Sequence, residues 1–386
     1  MGLRRATARP YHERPMLAKS RASVTPSRRP KSLNGRAPTP VGVLGATGTV
    51  GQRFIQLLEN HPWFYVDEVM ASDQSAGKPY AEAVGARWKL TTRIPEAVAR
   101  LKVRGPGEKL RSPVLFSALD ASVAGELEEQ YARAGHLVSS NSRNHRLDPL
   151  VPLVIPEVNR DHIELLERQK FSDDPKRRDG ILTNANCSAI VLVMALAPLH
   201  RAFGVESVVV TTFQATSGAG YPGVPSLDIL GNVVPYIPGE EPKMESETNK
   251  ILGTLGARGI ESAGIAVSAS CHRVPVLDGH LMAVSVKLKR KASLKQMLAA
   301  LTGFRPLDRM ALPSAPAEPI HVREEDDRPQ PRLDVDRSSG MGVTLGRLRP
   351  CPVLDWKFDA LGHNTIRGAA GAAILNAELL AHAGRI

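Results

Sequence analysis

The glycine-rich segment after the first apolar run constrains the fold of this chain most strongly. Residues 41–62 predict a short buried strand, a glycine turn and a helix that ends near His61. Gly45, Gly48 and Gly51 have the spacing G-x-x-G-x-x-G directly after the strand and open the helix. Backbone N–H groups at such a helix N-terminus can bind a dinucleotide pyrophosphate, although a tight glycine turn without a ligand is the alternative. We therefore predict the first βα unit of a dinucleotide-binding domain.

Further strands and helices alternate after this unit. Strands are predicted at 65–72, 114–120 and 136–144, with a helix through Ala134 between the last two and a short helix at 161–169. This alternation is typical of a Rossmann-like, doubly wound parallel sheet in an α/β fold. We assign residues 39–186 to this dinucleotide-binding domain, and we expect the C-terminal helix, 364–386, to complete it.

The second half of the chain has a different pattern. Residues 205–220 and 264–289 are rich in β-branched residues and turn signals, which predicts a mostly antiparallel sheet. Residues 291–304 predict an amphipathic helix, and the proline-rich stretch 313–332 predicts a surface loop. We assign 187–363 to a second, α+β domain.

The net charge of +11 is concentrated at the N-terminus. Residues 1–36 contain ten Lys or Arg and one acid, Glu13, so they carry +9 and leave +2 for the other 350 residues. We predict a disordered basic tail at 1–38, although a transit peptide or a true start at Met16 or later would have the same composition. No nucleic-acid binding is expected from the folded part. The longest apolar run, about ten residues at 190–199, is too short to span a membrane.

The end of the second predicted strand bears on cofactor choice. Ser72, Ser75 and Lys78 surround a single acid, Asp73. Hydroxyl groups and a lysine suit a 2′-phosphate better than a free ribose hydroxyl, so this composition favours NADP. An ordinary polar turn would have a similar sequence.

Cys187 is the strongest candidate nucleophile. The segment ILTNANCSAI, 181–190, predicts a strand and loop that deliver Cys187 to the first turn of an apolar helix. The N–H groups and the positive dipole end of a helix favour a thiolate, although a lone cysteine is more often a small buried side chain. With only Cys271 and Cys351 besides, the chain lacks a disulfide framework, which favours a reducing compartment, the cytoplasm.

Three downstream residues are candidates for contacting an acyl group bound to Cys187. Gln214 ends a predicted strand before the glycine turn SGAG, and Arg273 and His280 flank VPVLDG. A seven-residue gap on one strand places side chains on opposite faces, but a proline and an Asp-Gly turn interrupt the register here. The sequence therefore leaves open whether Arg273 and His280 meet. Alone, the histidine would be a core residue and the arginine a surface ion pair.

Together these features suit one reaction. A thiolate attacks an aldehyde, hydride leaves the adduct for a nicotinamide, and phosphate or water cleaves the resulting thioester. Neither a cysteine pair nor a histidine cluster in the sequence supports a metal site.

Seven motifs in order carry a resemblance to a known family. They are GATGTVGQRF, FSAL, NANCSAI, FQATSGAG, EEPKMESETNK, CHRVPVLDGH and GHNTIRGAAGAAILNAEL. From about Val41 to the C-terminus the chain resembles the aspartate-β-semialdehyde dehydrogenases, most closely their archaeal and fungal branch. The resemblance implies NADPH-dependent reduction of aspartyl phosphate to aspartate semialdehyde with phosphate release, toward lysine (through diaminopimelate), threonine, methionine and isoleucine. It also implies a homodimer or homotetramer formed through the second domain.

The resemblance implies roles for the matching residues. Cys187 would be the nucleophile, Gln214 would orient the thioacyl intermediate and His280 would be the acid/base. The implied substrate-binding residues are Arg273 for the α-carboxylate, Glu240 or its neighbour Glu241 for the amino group, Lys243 with Arg146 or Arg143 for the phosphate, and Asn186. The implied cofactor-binding residues are Gly45, Thr47, Gly48, Thr49, Val50, Ser72, Ser75, Ser117, Ser217, Gly218 and Asn364.

Two departures and three alternatives accompany this interpretation. Gln74 stands where many relatives have a basic residue, which weakens the case for strict NADP selectivity, and NANC replaces a serine-asparagine-cysteine run. Malonyl-CoA reductase and N-acetyl-glutamyl-phosphate reductase use the same cysteine chemistry on other substrates. A cofactor-binding regulatory protein without turnover is the alternative outside enzymes.

Overall fold

The first half of the chain forms a six-stranded parallel sheet. The computed structural model describes residues 37–171 and 179–386, so almost all of the predicted basic tail and most of the charged loop after Phe171 lie outside the described residues. The strand order is β2-β1-β3-β4-β6-β5, and every pair is parallel. The strands are β1 (Thr39–Leu44), β2 (Phe64–Met70), β3 (Val114–Ser117), β4 (Leu137–Ser140), β5 (Leu153–Val154) and β6 (Gly180–Asn184).

Short helices connect these strands. They are α1 (Thr49–Leu57), α2 (Tyr80–Val84), α3 (Glu96–Ala99), α4 (Ala121–Arg133) and α5 (Pro156–Asn159), with 3-10 turns at Gly85–Arg87 and Arg160–Arg168. The predicted short helix at 161–169 is present as the 3-10 helix Arg160–Arg168, within one residue at each end. Helical structure begins before it, at Pro156, whose fixed φ and missing N–H suit a first helical position.

The second half forms a mixed sheet in the order β10-β7-β11-β14-β13-β12. Its strands, with the separate hairpin β8–β9, are β7 (Val205–Gln214), β8 (Thr254–Gly256), β9 (Gly259–Glu261), β10 (Ala266–Arg273), β11 (His280–Leu288), β12 (Ile320–Val322), β13 (Val343–Pro350) and β14 (Trp356–Gly362). The three inner pairs are antiparallel, as predicted, but both edge pairs are parallel. Long crossovers reach these edge strands, and one edge strand, β12, comes from the stretch predicted to be only a loop.

Among the helices of the second half, those at 187–203, 240–251 and 294–302 contact this sheet, and the one at 371–382 contacts the first sheet. The helices of this half are α6 (Cys187–Phe203), α7 (Ser226–Ile229), α8 (Glu240–Ile251), α9 (Leu294–Thr302), α10 (Pro331–Asp334) and α11 (Gly371–His382), with 3-10 turns at Thr216–Ala219 and Arg337–Gly340 and a π-helical turn at Ile366–Ala370. None of the helices in the described ranges is long and apolar enough to cross a membrane.

Helix α6 joins the two halves. Strand β6 of the first sheet leads directly into α6, whose residues from Ser188 to Leu199 are all buried. Its apolar side chains share one core with residues of β7, β11 and β14. Such a helix is hydrophobic all round because it lies inside the protein. Its first residue, Cys187, therefore lies at the junction between the two halves.

The C-terminal helix α11 returns to the first sheet. It contacts β4, β6 and α1, and Ile374, Ala377 and Leu380 belong to the core of that half. The predicted combination of a Rossmann-like parallel sheet with a second α+β unit is confirmed. The domain boundaries at 186/187 and 363/364 stay a prediction.

Candidate active site

A cavity of about 920 Å³ opens between the two sheets. Its first end is formed by the glycine loop and the ends of β2 and β3, and its second end by α6, α8 and the second sheet. Among its lining residues are Gly45, Thr47, Gly48, Thr49, Val50, Ser72, Asp73, Arg87, Arg143, Arg146, Asn186, Cys187, Gln214, Ser217, Gly218, Glu240, Lys243, Arg273, Asn364 and Gly368.

The glycine loop fits an anionic group. Gly45 has a φ of +71°, and a Cβ there would lie 2.5 Å from the Ala118 carbonyl oxygen. A Cβ on Gly51 would lie 2.3 Å from the Gly45 carbonyl oxygen, so both positions require glycine. Helix α1 begins here with neither a side-chain cap nor an acid in its first turn. Its first N–H groups are thus available to phosphate oxygens, which is the geometry that a dinucleotide pyrophosphate needs.

Cys187 is the first residue of α6. Asn186 caps the helix by accepting hydrogen bonds from the backbone of Ser188 (2.9 Å) and Ala189 (3.1 Å). The Cys187 Sγ lies 3.2 Å from His280 Nε2. The side chain keeps partial exposure to the cavity, but burial of the site and the Glu240 carboxylate raise the pKa of the thiol to about 12. Burial and the Glu240 carboxylate therefore oppose the stabilisation of a thiolate that the helix N-terminus is expected to provide.

His280 is the first residue of β11 and is fully buried. The Ala215 backbone N–H donates to its Nδ1 at 3.1 Å. Because Nδ1 accepts this bond, the proton of the neutral ring lies on Nε2 and points to the Cys187 sulfur. Burial and the nearby Arg273 charge lower the pKa of His280 to about 3. The imidazole is therefore a neutral N–H donor toward the sulfur.

Arg273 and His280 converge, which the sequence left open. Strand β7 lies between β10, which ends at Arg273, and β11, which begins at His280. A Cβ on Gly218 would lie 2.9 Å from Arg273 Nη1 and 3.1 Å from His280 Cε1. Arg273 Nη1 donates to the Ala215 carbonyl oxygen at 2.8 Å. The two side chains meet because each ends or begins a strand on opposite sides of β7.

Glu240, the first residue of α8, faces the cavity beside the cysteine. Its carboxylate accepts hydrogen bonds from Asn186 Nδ2 (2.9 Å), Gln214 Nε2 (3.2 Å) and Lys243 Nζ (3.3 Å). Although burial opposes ionisation, these bonds and the Lys243 charge hold the pKa of Glu240 below its ordinary value. Glu241 instead accepts from the Cys271 backbone N–H at 3.0 Å. Of the two acids, Glu240 is the one that lines the cavity.

Glu247, which the sequence did not single out, connects two predicted site residues. Its buried carboxylate accepts from Arg146 Nη1 (3.0 Å) and from the Asn186 backbone N–H (2.6 Å). Arg146 Nη2 donates to the Asn141 carbonyl oxygen, and its Nε is buried without a hydrogen-bond partner. Arg143 is exposed at the cavity wall. Helical spacing from Glu240 to Glu247 could have identified this face of α8, but only once one of its residues was known to face the cavity.

Comparison with known proteins agrees with this geometry. Two family models match: "semialdehyde dehydrogenase, NAD binding domain" over residues 40–166 and "semialdehyde dehydrogenase, dimerisation domain" over residues 196–367. The aspartate-semialdehyde dehydrogenase of Archaeoglobus fulgidus is 50% identical over 342 residues, which cover 88% of this chain and 97% of that protein. The enzyme of Schizosaccharomyces pombe is 46% identical, covering 88% of this chain and 97% of that protein. The crystal structure of the Candida albicans aspartate semialdehyde dehydrogenase with NADP matches with a TM-score of 0.83 and 42% identity, covering 90% of this chain and 100% of that one.

The chain belongs to the aspartate-semialdehyde dehydrogenase family. The predicted resemblance to archaeal and fungal members is thereby confirmed. Most of the family-implied cofactor residues line the cavity, but Ser75 and Ser117 do not. Ser75 is buried, and Ser117 is fully buried and donates to Glu128 Oε1 at 2.5 Å. The strand end at Ser117 turns its hydroxyl toward α4, so the next residue, Ala118, lines the cavity instead.

Arg87 also lines the cavity, although the sequence did not identify it. The Gln52 side chain donates to the carbonyl oxygens of Arg87 (2.8 Å) and Thr47 (3.0 Å), which ties the Arg87 turn to the glycine loop. Nothing in the spacing from Gly45 to Arg87 signals this contact. Arg87 supplies a positive charge at the nucleotide end of the cavity, where Gln74 is uncharged.

Proposed function

We propose that this family member reduces L-4-aspartyl phosphate to L-aspartate 4-semialdehyde with NADPH and releases phosphate, through a thioacyl intermediate on Cys187. One observation carries the proposal. Cys187 Sγ lies 3.2 Å from His280 Nε2, in a cavity that also holds Glu240, Arg273 and the glycine loop. The product is the semialdehyde precursor of lysine, threonine, methionine and isoleucine.

The nucleotide end of the cavity fits NADP. The first N–H groups of α1 would hold the pyrophosphate, and Ser72 and Arg87 supply a hydroxyl and a guanidinium for a 2′-phosphate. When bound, NADPH supplies the hydride that reduces the thioacyl carbon. Asn364 is held by two hydrogen bonds, from Gly279 N and to Ser217 Oγ, both 2.8 Å, and helps to form the cavity wall near Cys187.

The charges at the acyl end match those of aspartyl phosphate. The Arg273 guanidinium can bind the α-carboxylate, and the ionised Glu240 can bind the α-ammonium group. Lys243, Arg146 and Arg143 provide positive charge for the acyl phosphate. Each substrate charge thus meets a group of the opposite sign, which a CoA thioester lacking an ammonium group would not satisfy.

The acyl transfer follows from these positions. An ammonium group beside Glu240 offsets the carboxylate charge that raises the pKa of Cys187, and thus favours release of the thiol proton to solvent in the open cavity. The thiolate attacks the acyl carbon, the carbon–oxygen bond to phosphate breaks, and its electron pair leaves with the phosphate. The His280 Nε2–H stabilises the negative charge that develops on sulfur or on the acyl oxygen. After reduction, the carbon–sulfur bond breaks, and the aldehyde and the thiolate separate.

The oligomeric state is supported less specifically than the reaction is. The family model that matches residues 196–367 is named for dimerisation. Leu227 (93% exposed), Leu230 (69%) and Tyr236 (61%) form apolar surface in this half, and we propose that it contributes to a homodimer or homotetramer. We also propose the cytoplasm as the location, because the mechanism requires a reduced Cys187.

The deciding experiment is run in the reverse direction. Purified protein should reduce NADP with aspartate semialdehyde only when phosphate or arsenate is present. N-acetyl-glutamate semialdehyde and malonyl-CoA, offered with the matching nucleotide, serve as competing substrates. Turnover of malonyl-CoA without any aspartate semialdehyde activity would sink the proposal, and nucleotide binding without turnover of any substrate would favour the regulatory alternative.

A further inference from the structure

The turn before the last helix is wound as a π-helix and lies directly behind Cys187. Within Ile366–Ala370, the Gly368 N–H donates to the His363 carbonyl oxygen at 2.9 Å, five residues back. Such widened turns are rare and occur mostly at functional sites. A Cβ added at Gly368 would lie 2.6 Å from Cys187 Cβ and 3.0 Å from Cys187 Cα. The backbone of the turn therefore packs against the nucleophile with no side chain between them.

Arg367, the residue before Gly368 in this turn, forms a fully buried ion pair. Its Nη1 and Nη2 donate to the two carboxylate oxygens of Glu157 at 2.7 and 2.9 Å. The side chains are 0% and 1% exposed. Arg367 Nη2 also lies 3.0 Å from the Met194 sulfur, on α6 two turns after Cys187. The guanidinium thus ties the π-helical turn to α5 and to the helix that carries the nucleophile.

Stability does not explain why this pair is buried. Removing two charges from water costs about as much as their attraction returns, and apolar replacements of such pairs are often neutral or stabilising. Neither Arg367 nor Glu157 lines the cavity, so neither is placed to touch substrate or cofactor. The two-pronged geometry does fix the position of the turn, since both carboxylate oxygens constrain the guanidinium plane.

A second contact ties the turn to the cysteine loop. Asn184, three residues before Cys187, is fully buried, and its Nδ2 donates to the Ala369 carbonyl oxygen at 3.2 Å. The turn is therefore held from the side of β6 as well as from α5. A shift of the turn would move Gly368 away from, or into, the Cys187 backbone.

We propose that Arg367 and Glu157 are a positioning pair. They hold Gly368 against Cys187, and this packing keeps Cys187 Sγ within 3.2 Å of His280 Nε2. The kinetic part of the proposal rests on the proposed function, but the geometry can be tested through the reactivity of the thiol alone.

The first test removes both charges together, with Arg367→Met and Glu157→Met in one protein, so that no unpaired charge is buried. We expect kcat to fall at least about tenfold, with the KM values of aspartate semialdehyde and NADP within about threefold, because displacements near 1 Å cost orders of magnitude in rate. Alkylation of Cys187 by iodoacetamide at pH 8, followed by peptide mass spectrometry, should slow at least about fivefold, because the thiolate loses its N–H donor. If a normally melting double variant keeps wild-type kcat and alkylation rate, the pair has no positioning role.

A second test does not depend on how the double variant folds. Gly368→Ala places a methyl group against Cys187, whereas Gly125→Ala, on α4 and outside the cavity lining, places one 2.9 Å from the side-chain amide of Asn144. We expect Gly368→Ala to lower kcat about 100-fold with NADP binding retained, and Gly125→Ala to stay within about threefold of wild type. Equal effects of the two substitutions would overturn the proposal.

These measurements distinguish a failure of the proposed function from a failure of the positioning role. If the wild type does not turn over aspartate semialdehyde, the proposed function fails, but the alkylation rates still report whether the turn positions Cys187. If the wild type is active and its alkylation rate is unaffected by Gly368→Ala and by the double substitution, the positioning role fails and the proposed function stands.

Discussion

The two ends of the cavity are built from different chemical groups. At the nucleotide end, one short loop, Gly45–Gly51, offers backbone N–H groups and space that only glycine leaves. At the acyl end, side chains from β7, β10, β11, α6 and α8 meet, and most are buried and hydrogen-bonded to one another. A loop of backbone groups governs binding and tolerates change outside its glycines. A network of buried side chains governs reactivity, and one change in it alters several members. Substitutions at the nucleotide end should therefore change mainly NADP binding, and substitutions at the acyl end should change mainly the reaction rate.

The largest effect is expected from Cys187→Ala. Loss of the nucleophile should abolish turnover, by a factor of about 10⁴ or more, as for other covalent catalysts. The dissociation constant of NADPH, measured by fluorescence titration, should stay close to the wild-type value. Substantial residual turnover would remove Cys187 from its role, and loss of nucleotide binding would mean that the two ends are not separable.

Glu240→Gln should change rate and thiol reactivity in opposite directions. We expect kcat/KM for aspartate semialdehyde to fall about 100-fold, because the ammonium group loses its counter-charge. Alkylation of Cys187 in the free protein should speed up, because one cause of its raised pKa is removed. Glu241→Gln, which does not line the cavity, is the matched control. Slower alkylation in Glu240→Gln would contradict the assigned cause of the raised pKa.

The pH dependence of the free thiol tests the same electrostatics. With a pKa of about 12 for Cys187, the thiolate fraction is small at neutral pH and grows as pH rises. Iodoacetamide alkylation of Cys187 should therefore rise about tenfold per pH unit from pH 7 to 10, without a plateau. His280, with its pKa lowered to about 3, should add no inflection in this range. A plateau below pH 9 would show that the ligand-free site already holds a thiolate.

At the nucleotide end, Gly45→Ala should weaken binding more than rate. A Cβ would meet the Ala118 carbonyl at 2.5 Å and strain a φ of +71°, so the loop must shift. We expect the KM of NADP to rise about tenfold or more, with kcat at saturation changed less. Gly264→Ala has a similar positive φ of +67° but meets nothing within 4 Å and lies outside the cavity lining, so it isolates the effect of the loop. Equal KM changes in both variants would argue against a role for the loop in binding.

The smallest effect is expected from Arg87→Gln. If Arg87 supplies the charge that Gln74 lacks, the dissociation constant of NADP should rise about three- to tenfold, while that of NAD stays constant. Arg93→Gln, also exposed but outside the cavity lining, should change neither. A parallel loss for NAD would indicate that Arg87 contacts the shared part of the nucleotide.

Local patterns predicted the nucleotide end well. The strand, glycine turn and helix are adjacent in the chain, so spacing alone predicts how Gly45, Gly48 and Gly51 come together. The acyl end required more than spacing. Arg273 meets His280 because β7 is inserted between their strands, and no local signal encodes that pairing. Glu247, Arg87 and the Arg367–Glu157 pair likewise depend on contacts between distant segments.

The pKa of Cys187 could not be predicted for a related reason. A helix N-terminus is visible in sequence, but the neighbouring Glu240 carboxylate and the buried surroundings are not. Ser117 was misplaced by one residue because the strand end alone does not show which side chain turns toward α4. The family resemblance supplied candidate residues, and the fold supplied their relative orientation.

The passage of β6 into α6 through only two residues, Ala185 and Asn186, has a consequence for how such proteins can be recombined. The strand packs in one core and the helix in the other. A chimera joined at this point would therefore place Cys187 between two cores that come from different proteins. Crossovers between relatives should be tolerated better within surface loops of either half than at this junction.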